Sequence, residues 1–453
     1  MANYRISIRV VTFILRLKIS FRRMRRFEIA IRNGIVLTMN DEMRVYNPGS
    51  VGISGGEIKY VGKEKVRGEE EIDAGGCVVM PGLINCHTHS PMTIFRNAFE
   101  DQPLEKWLKE YVWPVEMRLK PEHVRAGARL AAIEMALAGV TCFNDMYFFM
   151  DEVAKAAVEV GIRGVLSEGL VELFSDKTSE EILKRGVKFA EEYHGWKGMI
   201  WAMLGPHAEY SCSLDFLNKV REEADRLKVG IHIHLAEVKP PVDEFIKKHG
   251  KTPVKALDDI GFLKNDVLLA HAIYLNDEDL KILKERNVAV SYNPVSNMKL
   301  ASGAARIEEM MKLGIRVGLG TDGPGSNNTL DMLQDMKIAA LLQKLKYMDP
   351  RSLPAKTAVR MATRGGAEAL NLDHLIGSIE PGKKADLIVI NTRKARYLPL
   401  RDPYTAITYC SSGSDVRDVI VDGKIIVRNG ELQTVDLEEA TMEFEKVVTD
   451  LFQ

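Results

Sequence analysis

The chain has 453 residues, 46% of them apolar and 28% charged, with a formal net charge of −1. Such a length and balance allow one large domain with a smaller companion, and the near-neutral charge gives no reason to expect nucleic acid or an anionic membrane as partner. Five scattered cysteines (Cys77, Cys86, Cys142, Cys212, Cys410) form no C-x-x-C pair and no disulfide framework, which points to a reduced, cytoplasmic setting.

Residues 1–26 hold eight Lys or Arg and no acid around the short apolar run Val10-Val11-Thr12-Phe13-Ile14-Leu15. That run is too short to span a bilayer and has no small-residue cleavage pattern after it. A transit peptide or a surface-seeking segment would share the composition. The simpler reading is a basic extension outside the fold, which then begins near Met24. From Phe27 to about Met80, short β-type runs alternate with glycine turns, and Gly55-Gly56-Glu57-Ile58 reads as a hairpin. The far end behaves alike: runs at 385–390 and 416–421 are followed by the turn dipeptide Asp422-Gly423 and a further run at 424–427.

The middle alternates. Apolar strands at about 140–145, 162–166, 199–204, 230–235, 266–271, 287–291 and 315–320 are separated by helical stretches such as 121–138, 151–160, 179–193, 213–227 and 277–284. With the strand before His87, that makes eight parallel strands. The predicted fold is therefore α/β: a (β/α)8 TIM-type barrel over 81–374, with a small β-sandwich domain built from both chain ends, 27–80 and 375–453. In such barrels the strand C-termini converge on one mouth.

That mouth receives a set of metal-type ligands. His87-Thr88-His89 closes the apolar run 78–86, and side chains two apart on a strand point the same way. His232-Ile233-His234 repeats the spacing, and the run 317–321 ends on Asp322. His87, His89, His234 and Asp322 give three nitrogens and one oxygen, a set suited to one Zn²⁺ with an open position for water. Fe²⁺ or another divalent ion also accepts such ligands. His232 lies on the same face as His234 and competes for the third nitrogen. Glu237, three residues beyond His234, is placed to accept and deliver the protons of an activated water. His271 ends the next strand and is placed to hydrogen-bond the attacking oxygen or a developing oxyanion.

These residues resemble the amidohydrolase superfamily, and within it the 5-methylthioadenosine/S-adenosylhomocysteine deaminases. The resemblance runs from about Phe27 to the C-terminus. Its motifs include Pro81-Gly82-Leu83-Ile84-Asn85-Cys86-His87-Thr88-His89, Trp113-Pro114-Val115-Glu116, Gly205-Pro206-His207, His232 through Glu237, Asn293 through Leu300, Thr321 through Asn328 and Gly377 through Leu387. The resemblance implies a mononuclear site in which Asp322 doubles as a proton acceptor. The fourth strand offers His207 and no lysine at its end, against the bridging lysine of binuclear relatives. It also implies that Glu116 binds the ribose hydroxyls and that His207 reaches the sugar or base. From sequence alone Glu116 would read as a solvated helix face, and Trp107 and Trp113 as helix packing before purine stacking. The implied reaction is hydrolytic deamination of a small-molecule nucleoside: water attacks C6 of adenine, Glu237 delivers a proton to a ring nitrogen, and ammonia leaves. The cytidine-deaminase solution, which needs P-C-x-x-C, is excluded.

The segment after the third barrel strand departs from relatives that clamp the S-adenosylhomocysteine carboxylate with arginines. Glu168 stands where such an arginine is expected, and none occurs from Gly164 through Lys184. The expectation is a preference for substrates without an acidic tail: methylthioadenosine, adenosine or 5′-deoxyadenosine. Lys177 adds one positive charge. The alternative is a same-superfamily deaminase or chlorohydrolase of another heterocycle, such as guanine, cytosine or an s-triazine. A catalytically inactive binding or scaffold relative would show gaps among the ligands, and none is missing. Homo-oligomerisation is left open.

Overall fold

The computed structural model describes residues 25–452. The basic leader lies outside them except for Arg25 and Arg26, which open the first strand and pair with Val66 and Arg67. β1 (Arg25–Leu37) pairs antiparallel with β2 (Val45–Ser54), which turns through Gly55 and Gly56 into β3 (Glu57–Gly62). Both turn glycines have positive φ, 62° and 73°, a conformation open to glycine without a Cβ penalty. β4 (Val66–Asp73) and β5 (Cys77–Pro81) then run parallel to β1.

One residue later the chain enters the barrel with β6 (Leu83–Thr88). β7 (Val140–Tyr147), β8 (Arg163–Leu170), β9 (Ile200–Pro206), β10 (Gly230–Leu235), β11 (Val267–His271), β12 (Ala289–Tyr292) and β13 (Arg316–Leu319) follow as one parallel sheet in sequence order. Every residue of β6, β7 and β8 is buried, as expected of strands covered on both faces. The barrel closes between its first and last strands, where the Asp322 N–H donates to the His87 carbonyl at 2.9 Å. Gly320 lets that seam close: a Cβ there would stand 2.5 Å from Asn293 Oδ1 and 2.9 Å from the His87 nitrogen. All seven later strands coincide with their expected positions to within four residues at either end.

The chain then returns to the first sheet through β14 (Leu387–Asn391), β15 (Val416–Val421), β16 (Lys424–Arg428) and β17 (Glu431–Leu432). Hydrogen bonding joins both chain ends into one nine-stranded mixed sheet, in the order β17-β16-β15-β14-β5-β1-β2-β3 with β4 on β1. This domain has its own apolar cluster, including Ile29, Ile53, Val79 and Leu387, apart from the barrel core. Two helices of the C-terminal segment leave the sheet and lie on the barrel. Thr408 of Pro403–Cys410 bonds the Ala355 carbonyl, and Glu443 of Leu437–Phe452 pairs with Arg129 at 2.8 Å.

A fully buried guanidinium joins the two parts. Arg163, at the start of β8, bonds Asp386 at 2.6 and 3.0 Å and Asp422 at 3.2 Å, tying the barrel to the base of β14 and the β15–β16 turn. Breaking such a pair leaves an uncompensated buried charge, so its geometry fixes how the sheet seats on the barrel.

Candidate metal centre and active site

All the predicted site residues come to the mouth of the barrel. His87 lies in β6, with His89 just beyond it; His232 and His234 lie in β10 and His271 ends β11. Asp322 follows β13 with a φ of 66°, and His271 has a φ of 71°. Left-handed backbone at non-glycine residues is costly, and it clusters where side chains must be aimed into a site.

The hydrogen bonds decide which imidazole nitrogens carry protons. His89 Nδ1 is 2.6 Å from the Met146 carbonyl and His234 Nδ1 is 2.7 Å from the His207 carbonyl. A carbonyl only accepts, so both Nδ1 atoms carry hydrogen and both Nε2 atoms are bare lone pairs. Yet those two Nε2 atoms face each other 3.2 Å apart. His87 follows the same logic through a relay. Ser167 Oγ–H donates to the Asp145 carbonyl at 2.9 Å, which leaves Ser167 Oγ to accept from His232 Nδ1–H at 3.4 Å. His232 Nε2 then accepts from His87 Nδ1–H at 2.8 Å, and His87 Nε2 is left buried with no hydrogen-bond partner.

Asp322 completes the set, its Oδ1 standing 3.2 Å from His87 Nε2 and 3.4 Å from His89 Nε2. Ser296 and Ser326 donate to its Oδ2 at 2.6 and 2.9 Å, and the Gly323 N–H to Oδ1 at 2.8 Å. Burial works against its charge, but hydrogen bonding and the facing imidazoles outweigh that and hold the carboxyl well below its usual range. Burial likewise favours the neutral form of four of the histidines: His87 falls to about 4 and His207 to about 3, with His232 and His234 well below their ordinary value.

Buried acceptors that converge without a shared proton repel unless a cation lies among them. Two ligand atoms each about 2.0–2.1 Å from a tetrahedral ion stand roughly 3.3–3.4 Å apart, close to the 3.2–3.4 Å separations here. The residues present therefore fit one divalent metal ion. His232 and His234 differ in position: His234 Nε2 faces His89 Nε2, while His232 stands behind His87 and accepts from its Nδ1–H. His271 Nε2 faces Glu237 Oε1 at 3.8 Å, and its Nδ1 bonds Asn297 Oδ1 at 2.8 Å. His87, His234 and His271 have ring nitrogens within 4.8 Å of one another, as do the corresponding atoms of His87, His89 and Asp322.

Beyond the ligands lies a narrow pocket of about 90 Å³ lined by Glu116, His207, Glu237, His271 and Asp322, with Trp107 and Trp113 on its wall. Both tryptophans thus face the site. Glu116, read from sequence as a solvated face, is drawn inward by a helix that starts directly after the π-turn Trp107–Val112. Tyr147 O–H donates to its Oε1 at 2.6 Å. Burial raises both Glu116 and Glu237 above the ordinary carboxyl range. His271 is raised: burial opposes its charge, but the Glu237 and Asp322 carboxylates prevail.

Trp113, Glu116, Phe148 and Val171 are shared with an outer chamber of about 1070 Å³. Glu168 lines that chamber, with Oε2 accepting the Met150 N–H at 3.2 Å, and burial pushes its carboxyl up to about 7. Arg185, one residue beyond the arginine-free run 164–184, also lines the chamber. Its guanidinium bonds the Gly169 carbonyl at 3.2 Å and stands 3.9 Å from Glu168. Sequence reasoning missed Arg185, along with Tyr147, Ser296 and Ser326. The serines lie inside quoted motifs, but nothing in the sequence shows them meeting Asp322.

The sequence pattern of the Amidohydrolase family matches residues 78–426. The 5-methylthioadenosine/S-adenosylhomocysteine deaminase of Thermoanaerobacter pseudethanolicus is 44% identical over 94% of this chain and 99% of its own. The 5'-deoxyadenosine deaminase of Methanosarcina mazei is 44% identical over 94% of this chain and 98% of its own. Among solved structures, an adenosine deaminase from Xanthomonas campestris with bound zinc superposes with a TM-score of 0.91 at 30% identity, covering 95% of this chain and 99% of that one. Barrel, converging ligands and matched sequence agree, and the chain belongs to the amidohydrolase family.

Proposed function

We propose that this protein is a metal-dependent hydrolytic deaminase that converts adenosine derivatives to their inosine counterparts and releases ammonia. The observation that carries the reading is the set of bare, converging imidazole nitrogens beside the Asp322 carboxylate, at the inner end of a pocket lined by Glu237 and Glu116. The named deaminases among its relatives support the substrate class.

His87, His89, His234 and Asp322 would hold the ion, which we take to be zinc by analogy with the zinc-bound relative. When bound, such a cation supplies Lewis acidity and lowers the pKa of a coordinated water to about 7. The protein's own groups do the rest. Asp322 is ionised and takes a proton from the attacking water. Glu237, buried and raised, carries a proton to the ring nitrogen next to C6 and then to the leaving amine. His271, kept in place by Asn297, donates from Nε2 to the developing oxyanion. Tyr147 holds Glu116 where it accepts from the ribose hydroxyls, and His207 contacts the sugar or base. Water adds across C6, the C6–N bond breaks, and the carbonyl and ammonia account for every atom.

The outer chamber adjoins Glu116 and so receives the 5′ substituent. Its one arginine is engaged by Gly169 and Glu168, so an acidic tail meets a buried carboxyl rather than a free guanidinium. The preferred substrates are methylthioadenosine, adenosine and 5′-deoxyadenosine. Among the described residues no helix is long and apolar enough to cross a membrane. The five unpaired cysteines favour a reduced compartment, and on that ground we propose a cytoplasmic location. Ammonia release by metal-loaded protein, measured across adenosine derivatives differing only at the 5′ position, tests the proposal. No activity on any of them, or a clear kcat/KM preference for S-adenosylhomocysteine over methylthioadenosine, would refute it in whole or in its last part.

A further inference from the structure

We infer that Glu209 is a positioning residue for Glu237, its carboxyl oxygen bracing the backbone turn from which Glu237 reaches into the pocket. The inference rests on the role just proposed for Glu237. The segment 207–209 runs beside the end of β10 and holds it at successive points. The His207 carbonyl accepts from both the backbone nitrogen and Nδ1 of His234, at 2.9 and 2.7 Å, and Ala208 pairs with His234 as an isolated bridge. Glu209 Oε1 then accepts the Ala236 N–H at 3.2 Å.

Ala236 is the residue immediately before Glu237 and sits in left-handed backbone, with a φ of 52°. Its carbonyl is pinned by the backbone nitrogens of Ile273 and Tyr274, both at 3.1 Å. Its N–H is pinned by the Glu209 side chain. Without that acceptor the N–H is left buried and unpaired, and the strained peptide loses the contact that opposes its relaxation.

Glu209 is not placed there by solvent or by an ion pair. It is 4% exposed, and its second oxygen, Oε2, is buried with no hydrogen-bond partner. Burial, with the nearby Glu237 charge adding to it, pushes the Glu209 carboxyl up to about 7. A carboxylic acid and a carboxylate both present Oε1 as an acceptor, so the brace works in either state. A glutamine offers the same acceptor, and an alanine offers none.

The test compares Glu209→Ala, Glu209→Gln and the parent as metal-loaded proteins. Misplacing a reacting group by about 1 Å costs up to about 100-fold in rate, so Glu209→Ala should lower kcat by about 10- to 100-fold with KM changed by less than about threefold. Glu209→Gln should recover most of that loss. Metal content should match the parent in both variants, because His234 is held by the His207 backbone rather than by Glu209. Unchanged kcat in Glu209→Ala, a glutamine variant as impaired as the alanine one, or loss of metal along with activity would each overturn the inference. A crystal structure of Glu209→Ala decides it independently of activity. A displaced Glu237 carboxyl supports the brace and an unmoved one refutes it, even if the parent proves not to be a deaminase and the proposed function falls.

Discussion

His232 is not among the proposed ligands, yet its removal should weaken metal binding. In His232→Ala the Nδ1–H of His87 loses the acceptor it meets at 2.8 Å, in surroundings where both rings are fully buried. An unmade buried donor costs about 1–3 kcal/mol. The apo protein escapes part of that cost by letting His87 rotate or change tautomer, either of which turns a hydrogen toward the ion's position. Binding must then restore the productive tautomer. At about 1.4 kcal/mol per tenfold, the penalty corresponds to roughly 5- to 150-fold in affinity, which brackets the 10–100-fold losses typical when partners behind metal ligands are mutated. The assay is competition between the protein and a chromophoric chelator for the divalent ion, with His232→Gln as the companion that keeps an amide acceptor in place of the ring. Glutamine should bind metal more tightly than alanine. An alanine variant with the parent's affinity would show that the relay from Asp145 through Ser167 and His232 does not set the His87 tautomer.

Glu237→Gln should lower kcat by about 10²–10⁴-fold, the usual range for a lost general acid–base, while metal analysis shows an unchanged ion content. Removing the ion by chelation should abolish deamination and lower the melting temperature. Readdition at about 1,000 times Kd should return roughly 4 kcal/mol of stability, and a chelator-insensitive enzyme would remove the basis of the mechanism. Glu168→Gln addresses the chamber through pH. The Glu168 carboxyl is raised from 4.5 to about 7 in the folded protein, so between those values the folded state binds the extra proton and stability falls as pH rises. The parent should lose up to about 3 kcal/mol from this group between pH 5 and pH 8, and glutamine should not. Denaturant unfolding at the two pH values therefore shows the variant gaining on the parent at pH 8, and an equal difference at both would refute the assignment.

The barrel was legible because its parallel strands are buried on both faces and read as unbroken apolar runs between amphipathic helices. The convergence of the proposed metal ligands was legible for a related reason: a strand end has few residues, and two histidines two apart share a face. The same rule made His232 and His234 indistinguishable, since period-two geometry gives direction and not depth. Only the side-chain contacts made inside the barrel show that His234 faces His89 and that His232 faces the back of His87. Glu116 was hidden because a π-turn, which inserts an extra residue into the helical period, rotates the helix that carries it. Arg185 sits on the helix Ser179–Tyr193 and reaches Glu168 only after the chain has turned back along β8. Contacts of that kind depend on how far a helix slides along a sheet, a quantity absent from local periodicity.

The three imidazoles proposed as ligands share one device placed on different staves of the barrel. His89 beyond β6 is oriented by a carbonyl of β7, His234 in β10 by the carbonyl that follows β9, and His87 in β6 by a histidine from β10. Each ligand's tautomer is therefore set by an element other than its own. Slipping any one strand by a residue would reverse its side chains and turn at least one nitrogen from lone pair to N–H. The seam bond between Asp322 and His87 adds the last strand to the same condition. The ligand set can exist only when the barrel is closed in a single register, so the site's chemistry and the correctness of the fold are one physical requirement.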